Sequence, residues 1–266
     1  DLLLVDEAGM LDQDTALALL AIADESGARV ALVGDRHQLP AVGRGGVLDL
    51  AARWVSPDAH LTLDTIHRFS DPEYAELSTL MRTGRQPGAV FDALLSRGDI
   101  TIHASEVERV DALADVDGLV IADTRQQVAV LNGAIRDRRR PDPGPELATG
   151  AGDLIGPGDL ITTRRNDPSL DVANHDTWTV RAIGSDGSLV ARGRRGTRTL
   201  PPEYVHDHVE LAYATTAYGA QGQTVPTAHL ALGESSGAAS AYVGMTRGRH
   251  RNVAHIVADS VDTART

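Results

Sequence analysis

Two apolar runs near the start of the chain, LLLV at 2–5 and VALV at 30–33, limit the possible folds more than any other feature. The first stops abruptly in Asp6-Glu7, and the second in Gly34-Asp35 and a loop with three more glycines through Gly46. The spacing predicts a helix between them, with Asp12 or Asp14 at its start, an end near Asp24 and Gly27 as the stop signal. A strand, a helix, and a second strand running straight into a polar loop is an α/β pattern. The first run is expected to be a buried strand.

The same texture continues. A helix is predicted over 72–97, started by Asp71-Pro72. DGLVIAD at 117–123 reads as a strand, and Thr124 as the cap of a helix through Arg140. RRRPDPGPELATGAGD reads as a turn-rich connector. From Leu154 to about Val209 the runs become short and β-like, with SDGS at 185–188 as a hairpin signal. The α/β texture returns with VELAYATTAYGAQGQTV, a strand AHLAL, a helix from about Ala238 and a final strand VAHIV.

Composition excludes several classes. Of 266 residues 42% are apolar and 3% aromatic, so the core must be aliphatic. No cysteine is present, which rules out disulfides and thiolate chemistry. No apolar run approaches the ~20 residues that span a bilayer, and no basic leader is evident, so a cytoplasmic location is expected. No GxSxG elbow appears. All 25 basic side chains are arginine, so a GxxxxGK[ST] phosphate loop cannot be formed from this chain. The net charge of −12 argues against broad attraction to nucleic acid, although a narrow channel can carry its own potential.

Acidic residues at the C-terminal edge of a strand stand where open α/β sheets bind ligands. An Asp there can hold Mg²⁺ against phosphates, and a neighbouring Glu can deprotonate water; alternatively, the pair simply begins a turn. Gln38 offers a donor and an acceptor without charge. Arg68 and Arg247 are candidates to stabilise charge on a transferring phosphoryl group. Arg249, Arg251 and the 138–140 run read as solvated surface charge, with DNA phosphate as a weaker option. His206 and His208 would share one face of a strand end, without the further ligands zinc requires. Trp54 and Trp178 read as core residues first; Trp178 could alternatively stack on a base, worth ~1–3 kcal/mol.

In order, VDEAG, GDRHQLPAVG, IHRF, YATTAYGAQGQTV and YVGMTRGR resemble motifs II to VI of superfamily 1 helicases. The branch they most resemble is the RecD/TraI-like one, including the helicase part of conjugative relaxases. The resemblance implies two RecA-like, P-loop NTPase-type lobes, the first incomplete and the second carrying a small SH3-like β-barrel insertion. The implied division is 1–62 for the first lobe, 63–100 for a helical connector, 101–153 with 208–266 for the second lobe, and 154–207 for the insertion. It implies ATP with Mg²⁺ as cofactors and single-stranded DNA as partner, with 5′ to 3′ movement.

Residue by residue, the resemblance makes Asp6 the Mg²⁺ ligand, Glu7 the catalytic base and Gln38 the γ-phosphate sensor. Arg68 and Arg247 become the arginines that reach the γ-phosphate. Gly34, Asp35, Gln221 and Gly222 are the remaining nucleotide-side positions. Asn166, Thr215, Thr216, Tyr218 and Gln221 are the DNA-side positions. Departures are Tyr218-Gly219-Ala220 in place of a His-Lys pair, Thr224 for an acidic residue, and Phe69 for the Gln that commonly follows the motif IV arginine. A further expectation is that the chain is a C-terminal fragment, with residues 1–62 poorly stable alone and showing exposed apolar edges. Its partners would then be an N-terminal half bearing the phosphate loop, with a relaxase domain as a further option left open. The other function class kept open is a catalytically silent nucleic-acid-binding or interaction module.

Overall fold

The structure, a computed structural model, describes residues 1–63, 65–140, 144–234 and 236–265. It divides into two units: residues 1–100, 220–228 and 235–253 form one, and residues 101–219, 229–234 and 254–266 the other. Among the described residues no helix is long and apolar enough to cross a membrane.

The first unit opens with β1 (Leu2–Val5), α1 (Gln13–Ser26) and β2 (Arg29–Leu32). β1 and β2 pair in parallel from Leu2 with Arg29 to Val5 with Leu32. The Asp12 carboxylate caps α1 by accepting the Thr15 N–H at 2.9 Å, and Gly27 ends it at φ 64°. β1 was expected to be a buried strand, and it is not: Leu2 is 59% and Leu4 61% exposed. The reason is architectural. Among the described residues β1 and β2 form a two-stranded sheet, and α1 turns only Ala16 and Ala23 inward while Leu17, Leu20 and Ile22 face out.

Then follow α2 (Val47–Trp54), α3 (Pro72–Thr83) and α4 (Pro87–Ser96). Trp54, expected in a core, ends α2 at 85% exposure, because α2 buries no residue. The single helix expected over 72–97 is two helices. Gly84 and Gln86 take positive φ, 65° and 52°, and Pro87 restarts the chain as a first-turn proline. Asp71 caps α3 through the Glu73 N–H, and Arg97 ties Asp71, Glu73 and Asp99 together at the far end of α4.

The second unit begins with β3 (Ile100–His103), α5 (Glu106–Ala114), β4 (Leu119–Ala122) and α6 (Arg125–Arg139). α6 starts on a reciprocal cap between Thr124 and Gln127. The stretch read as a connector holds β5 (Leu147–Ala148), paired with β6 (Leu154–Ile155); its residues 141–143 lie outside the described ones. β7 (Leu160–Thr163), β8 (Thr177–Ile183), β9 (Leu189–Gly193) and β10 (Gly196–Leu200) follow, then α7 (Pro202–His208) and β11 (Val209–Leu211). These make an antiparallel sheet in the order β10-β9-β8-β7-β11, with the β8–β9 turn closed by Gly184 and Ser188. His206 and His208 lie in a helix, not a strand, because Pro202 begins a helical turn; their imidazoles therefore do not share a face.

β12 (Ala214–Thr216), α8 (Ala217–Ala220), β13 (Val225–Leu232), α9 (Ala238–Gly244), β14 (Gly248–Val257) and α10 (Val261–Arg265) complete the chain. A second sheet runs β12-β4-β13-β14-β3, with β12 parallel to β4. Val120, Ala122, Leu131 and Ile135 of the α/β part and Ile161, Trp178 and Leu189 of the antiparallel part belong to one apolar core. The polar centre of this unit is Asp159, fully buried. Its Oδ2 accepts from Arg136 Nε at 2.9 Å, Arg140 Nη1 at 2.8 Å and the Gly156 N–H at 2.7 Å, and its Oδ1 from the Tyr213 hydroxyl at 2.8 Å. Arg140 is thus not the solvated charge its Arg-rich run suggested.

Candidate nucleotide and nucleic-acid sites

The turn after β1 is built by its own carboxylate. Asp6 Oδ1 accepts the Glu7 N–H at 2.9 Å, and Glu7 takes φ 51°, ψ 36° before a 3-10 turn over Ala8–Met10. Left-handed backbone at a non-glycine residue costs on the order of 1 kcal/mol, and such strain concentrates at functional positions. The turn after β2 packs directly on it. A Cβ on Gly34 would stand 2.9 Å from the Gly9 nitrogen and 3.0 Å from the Ala8 nitrogen, so only glycine lets the two loops meet.

Asp35 follows, and its carboxylate is already engaged. Oδ1 accepts from the His37 N–H at 3.0 Å and from Arg82 Nε at 3.2 Å, and Oδ2 from the Tyr242 hydroxyl at 3.1 Å. The Tyr242 hydroxyl keeps its proton: burial first, then the Asp35 charge, push it up to about 12. Gln38 lines a small cavity with Gly9, Asp35, Gly46 and Leu48, and its Oε1 is buried without a hydrogen-bond partner.

Arg68 donates Nη1 to the Thr246 carbonyl at 2.6 Å. Arg247 is 1% exposed, with Nε on the Val243 carbonyl at 2.9 Å, Nη2 on Thr246 Oγ1 at 3.0 Å and Nη1 on the Gln223 carbonyl at 3.5 Å. Burial, and next the Arg68 guanidinium, pull Arg247 down to about 10, against the opposing charge of Glu7. Gln221 Nε2 reaches Glu7 Oε2 at 3.4 Å, while its Oε1 is buried and unpartnered. Gly222, at φ 78°, leaves Glu7 Oε1 only 3.7 Å from where a Cβ would stand. Phe69 meets Tyr74 edge-on at 5.0 Å, which gives this position a packing role.

Asp6, Glu7, Gly34, Asp35, Gln38, Arg68, Gln221, Gly222 and Arg247 therefore all fall in the first unit. Asn166, Thr215, Thr216 and Tyr218 fall in the second. There Asn166 Oδ1 accepts the Asn174 N–H at 2.8 Å, and Thr216 Oγ1 accepts the Gly219 N–H at 3.1 Å. Arg82, Tyr242, Thr246 and Gln223 were not foreseen from sequence. Their partners are distant in the chain (Tyr242 and Asp35 are 207 residues apart), and no local pattern signals such a pair.

No cluster of His, Asp or Glu suited to holding a metal by itself occurs among the described residues. One exposed carboxylate on a strand end nonetheless suits Mg²⁺, which takes one or two protein ligands and completes its shell with phosphate and water. The orphaned Oε1 of Gln38, in its cavity, and that of Gln221, whose Nε2 reaches Glu7, are acceptors open to an arriving donor.

Known proteins resemble this chain in sequence and in fold. Residues 1–105 match a family model described as an AAA domain. The chain is 26% identical over 261 residues to a probable conjugal transfer protein TraA of Sinorhizobium fredii, covering 92% of this chain and 23% of that protein. It is 30% identical over 147 residues to the multifunctional conjugation protein TraI of Escherichia coli, covering 52% of this chain and 8% of that one. The chain thus spans less than a quarter of either relative. A crystal structure of the Pif1 helicase from Bacteroides, in complex with ADP-AlF3 and ssDNA, superposes with a TM-score of 0.69 at 19% identity, over 99% of this chain and 71% of that one. The chain is similar to the conjugation proteins TraA and TraI and has the RecA-like α/β fold of Pif1.

Proposed function

We propose that the chain is part of an ATP-dependent DNA helicase motor that moves 5′ to 3′ on single-stranded DNA in the cytoplasm. The observation that carries this reading is the gathering in one unit of Glu7, Gln221, Arg68 and Arg247, residues 240 positions apart at the extremes, around one strand end. Asp6, with one oxygen on the Glu7 N–H, would hold Mg²⁺ through the other. The metal's contribution is to neutralise phosphate charge. Glu7 would take the proton of a water whose oxygen attacks the γ-phosphorus, as the bond to the β–γ bridging oxygen breaks and ADP leaves.

Arg68 and Arg247 would offset the charge on the equatorial oxygens, which requires Arg247 to exchange its Thr246 and Gln223 contacts for phosphate. Gln38 would sense that phosphate. Gly34 and Asp35 would line the nucleotide side, Asp35 while holding Tyr242 and Arg82, and Gly222 would leave room beside Glu7. Asn166, Thr215, Thr216, Tyr218 and Gln221 would meet DNA. In this reading the motor divides as the motif order implies, at 62, 100, 153 and 207, with the antiparallel sheet as an SH3-like insertion. A lysine-bearing phosphate loop must come from outside these 266 residues, since they contain no lysine. That fact also favours a second reading, a silent nucleic-acid-binding module.

The test is ATP hydrolysis stimulated by single-stranded DNA, comparing this chain with a version extended upstream through a phosphate loop. Turnover by the extended protein, abolished by Glu7→Gln, supports the motor. DNA binding without turnover would leave the silent module.

A further inference from the structure

The antiparallel sheet of the second unit gives one face to the core and leaves the other to solvent. Trp178, Val180, Leu189, Ala191 and Leu200 point inward and are buried. On the outward face Arg192 of β9 stands between Thr179 of β8 and Thr197 of β10, its partners in register. The β8–β9 ladder then bulges between Val180 and Ala182, and the extra residue, Arg181, is exposed. Arg194 follows two residues after Arg192, exposed at the turn into β10. We propose that this face binds the phosphate backbone of a nucleic-acid duplex, a partner additional to the single-stranded track of the proposed motor.

Charge is concentrated here against the trend of the chain. Residues 177–200 hold five arginines and one aspartate, although the chain as a whole carries −12. β8, β9 and β10 themselves contain no acidic residue. The carboxylates around them are already engaged. Asp186, in the β8–β9 turn, accepts the Ser188 N–H at 3.0 Å and the Ser188 hydroxyl at 2.6 Å. Asp171 and Asp176 take Arg195 and Arg198, and Glu210 on β11 takes Arg164 at 3.4 Å. Among the described residues the side chains of Arg181, Arg192 and Arg194 have no hydrogen bond or ion pair.

Neighbouring arginines in this series lie two residues apart along the chain or diagonally across one strand pair, so their Cα atoms are about 7 Å apart. That spacing suits successive phosphates of one backbone. The threonine hydroxyls flanking Arg192 add neutral donors of the kind that phosphate contacts use. A protein partner or a lipid surface would need exposed apolar anchors. No large apolar side chain between residues 155 and 217 is exposed. Single strands bound without sequence preference rely on bases stacking on aromatic rings. The one aromatic residue of β8, β9 and β10 is Trp178, turned into the core at 2% exposure. A duplex keeps its bases stacked on one another and presents phosphates at higher charge density.

Each phosphate contact contributes a slope of about −0.9 to log K against log salt, so three contribute about −2.7. This amounts to about a fortyfold loss of affinity between 50 and 200 mM salt. The test is fluorescence anisotropy of a labelled DNA duplex of mixed sequence with the 266-residue chain across that range. Arg181→Gln, Arg192→Gln and Arg194→Gln together are expected to make the slope shallower by about 2.7. Arg192→Lys is expected to keep it, because a phosphate contact of this kind needs the charge and not the planar fork. Binding of an unstructured single strand, whatever its strength, is expected to be equal in the wild type and the triple variant, so failure of the motor reading leaves the test intact. Absence of duplex binding by the wild type overturns the inference. So does an equal slope in the triple variant, or a loss of single-strand binding that matches the loss for duplex. Should the triple variant not fold, as judged by urea unfolding followed through Trp178 fluorescence, Arg192→Gln alone is expected to remove about 0.9 of the slope. An unchanged slope in that variant overturns the inference.

Discussion

Glu7 sits at φ 51°, where a side chain is disfavoured and glycine is not. Glu7→Gly is therefore expected to raise the stability of the chain by about 1 kcal/mol, read from the urea midpoint at unchanged slope, even as the proposed base is lost. A gain in stability on deleting a carboxylate would separate local strain at this turn from fold maintenance. Asp159 is the opposite case. It holds two arginines, a tyrosine hydroxyl and a backbone N–H in a fully buried position. Burial alone would lower Arg136, yet its hydrogen bonds to Asp159 and Glu146 raise it. Asp159→Asn strands those guanidinium groups and is expected to cost about 3–5 kcal/mol, seen as earlier loss of the Trp178 signal.

Glycine has opposite consequences in two elements of the second unit. At the end of β9, Gly193 faces Trp178 across the β8–β9 pair, and a Cβ there would stand 2.6 Å from the indole. Gly193→Ala is expected to cost about 1–3 kcal/mol and to shift Trp178 emission, because the ring has to move within a filled core. In α6, by contrast, a Cβ on Gly133 meets nothing within 4 Å. Gly133→Ala should stabilise by about 0.5–1 kcal/mol through the unfolded chain's lost freedom, measured on the same denaturation curve. Element starts were legible because caps are local: Asp12, Asp71 and Thr124 each reach a backbone N–H two or three residues on. The break between α3 and α4 was not legible, since Gln86 at positive φ leaves no residue-type signal. The helix over 202–208 was also missed, because alternation in YVHDHVEL mimics a strand.

Across the whole molecule, a net charge of −12 coexists with exposed apolar side chains at Leu2, Leu4, Leu17, Leu20 and Ile22. Exposed apolar surface promotes association, and Leu17 and Leu20, three residues apart, share one face of α1. Leu17→Arg, placed three residues after Asp14 on α1, is expected to lower light scattering at high protein concentration. The unfolding midpoint should stay within about 0.5 kcal/mol of wild type, since Leu17 is 69% exposed. An unchanged scattering profile would mean that this face does not drive association.

Sequence alone determined the strand-helix-strand order at the start of the chain, the strand and capped helix over 119–139, the caps at Asp12, Asp71 and Thr124, and which residue types stand at those strand ends. All of these are set by interactions within a few positions of the chain. Composition also determined that these 266 residues have no lysine to offer a phosphate. Only the tertiary structure decided that the carboxylate of Asp35 is held by Tyr242 and Arg82, that Arg247 is buried on Thr246 and Gln223, and that Arg192 stands between Thr179 and Thr197 on an outward sheet face. Each of these joins residues 24 to 207 positions apart or more than one strand, apart from the Thr246 contact itself. Periodicity reports which face of an element is apolar. It carries no information about which polar side chain of a distant element will come to rest against that face.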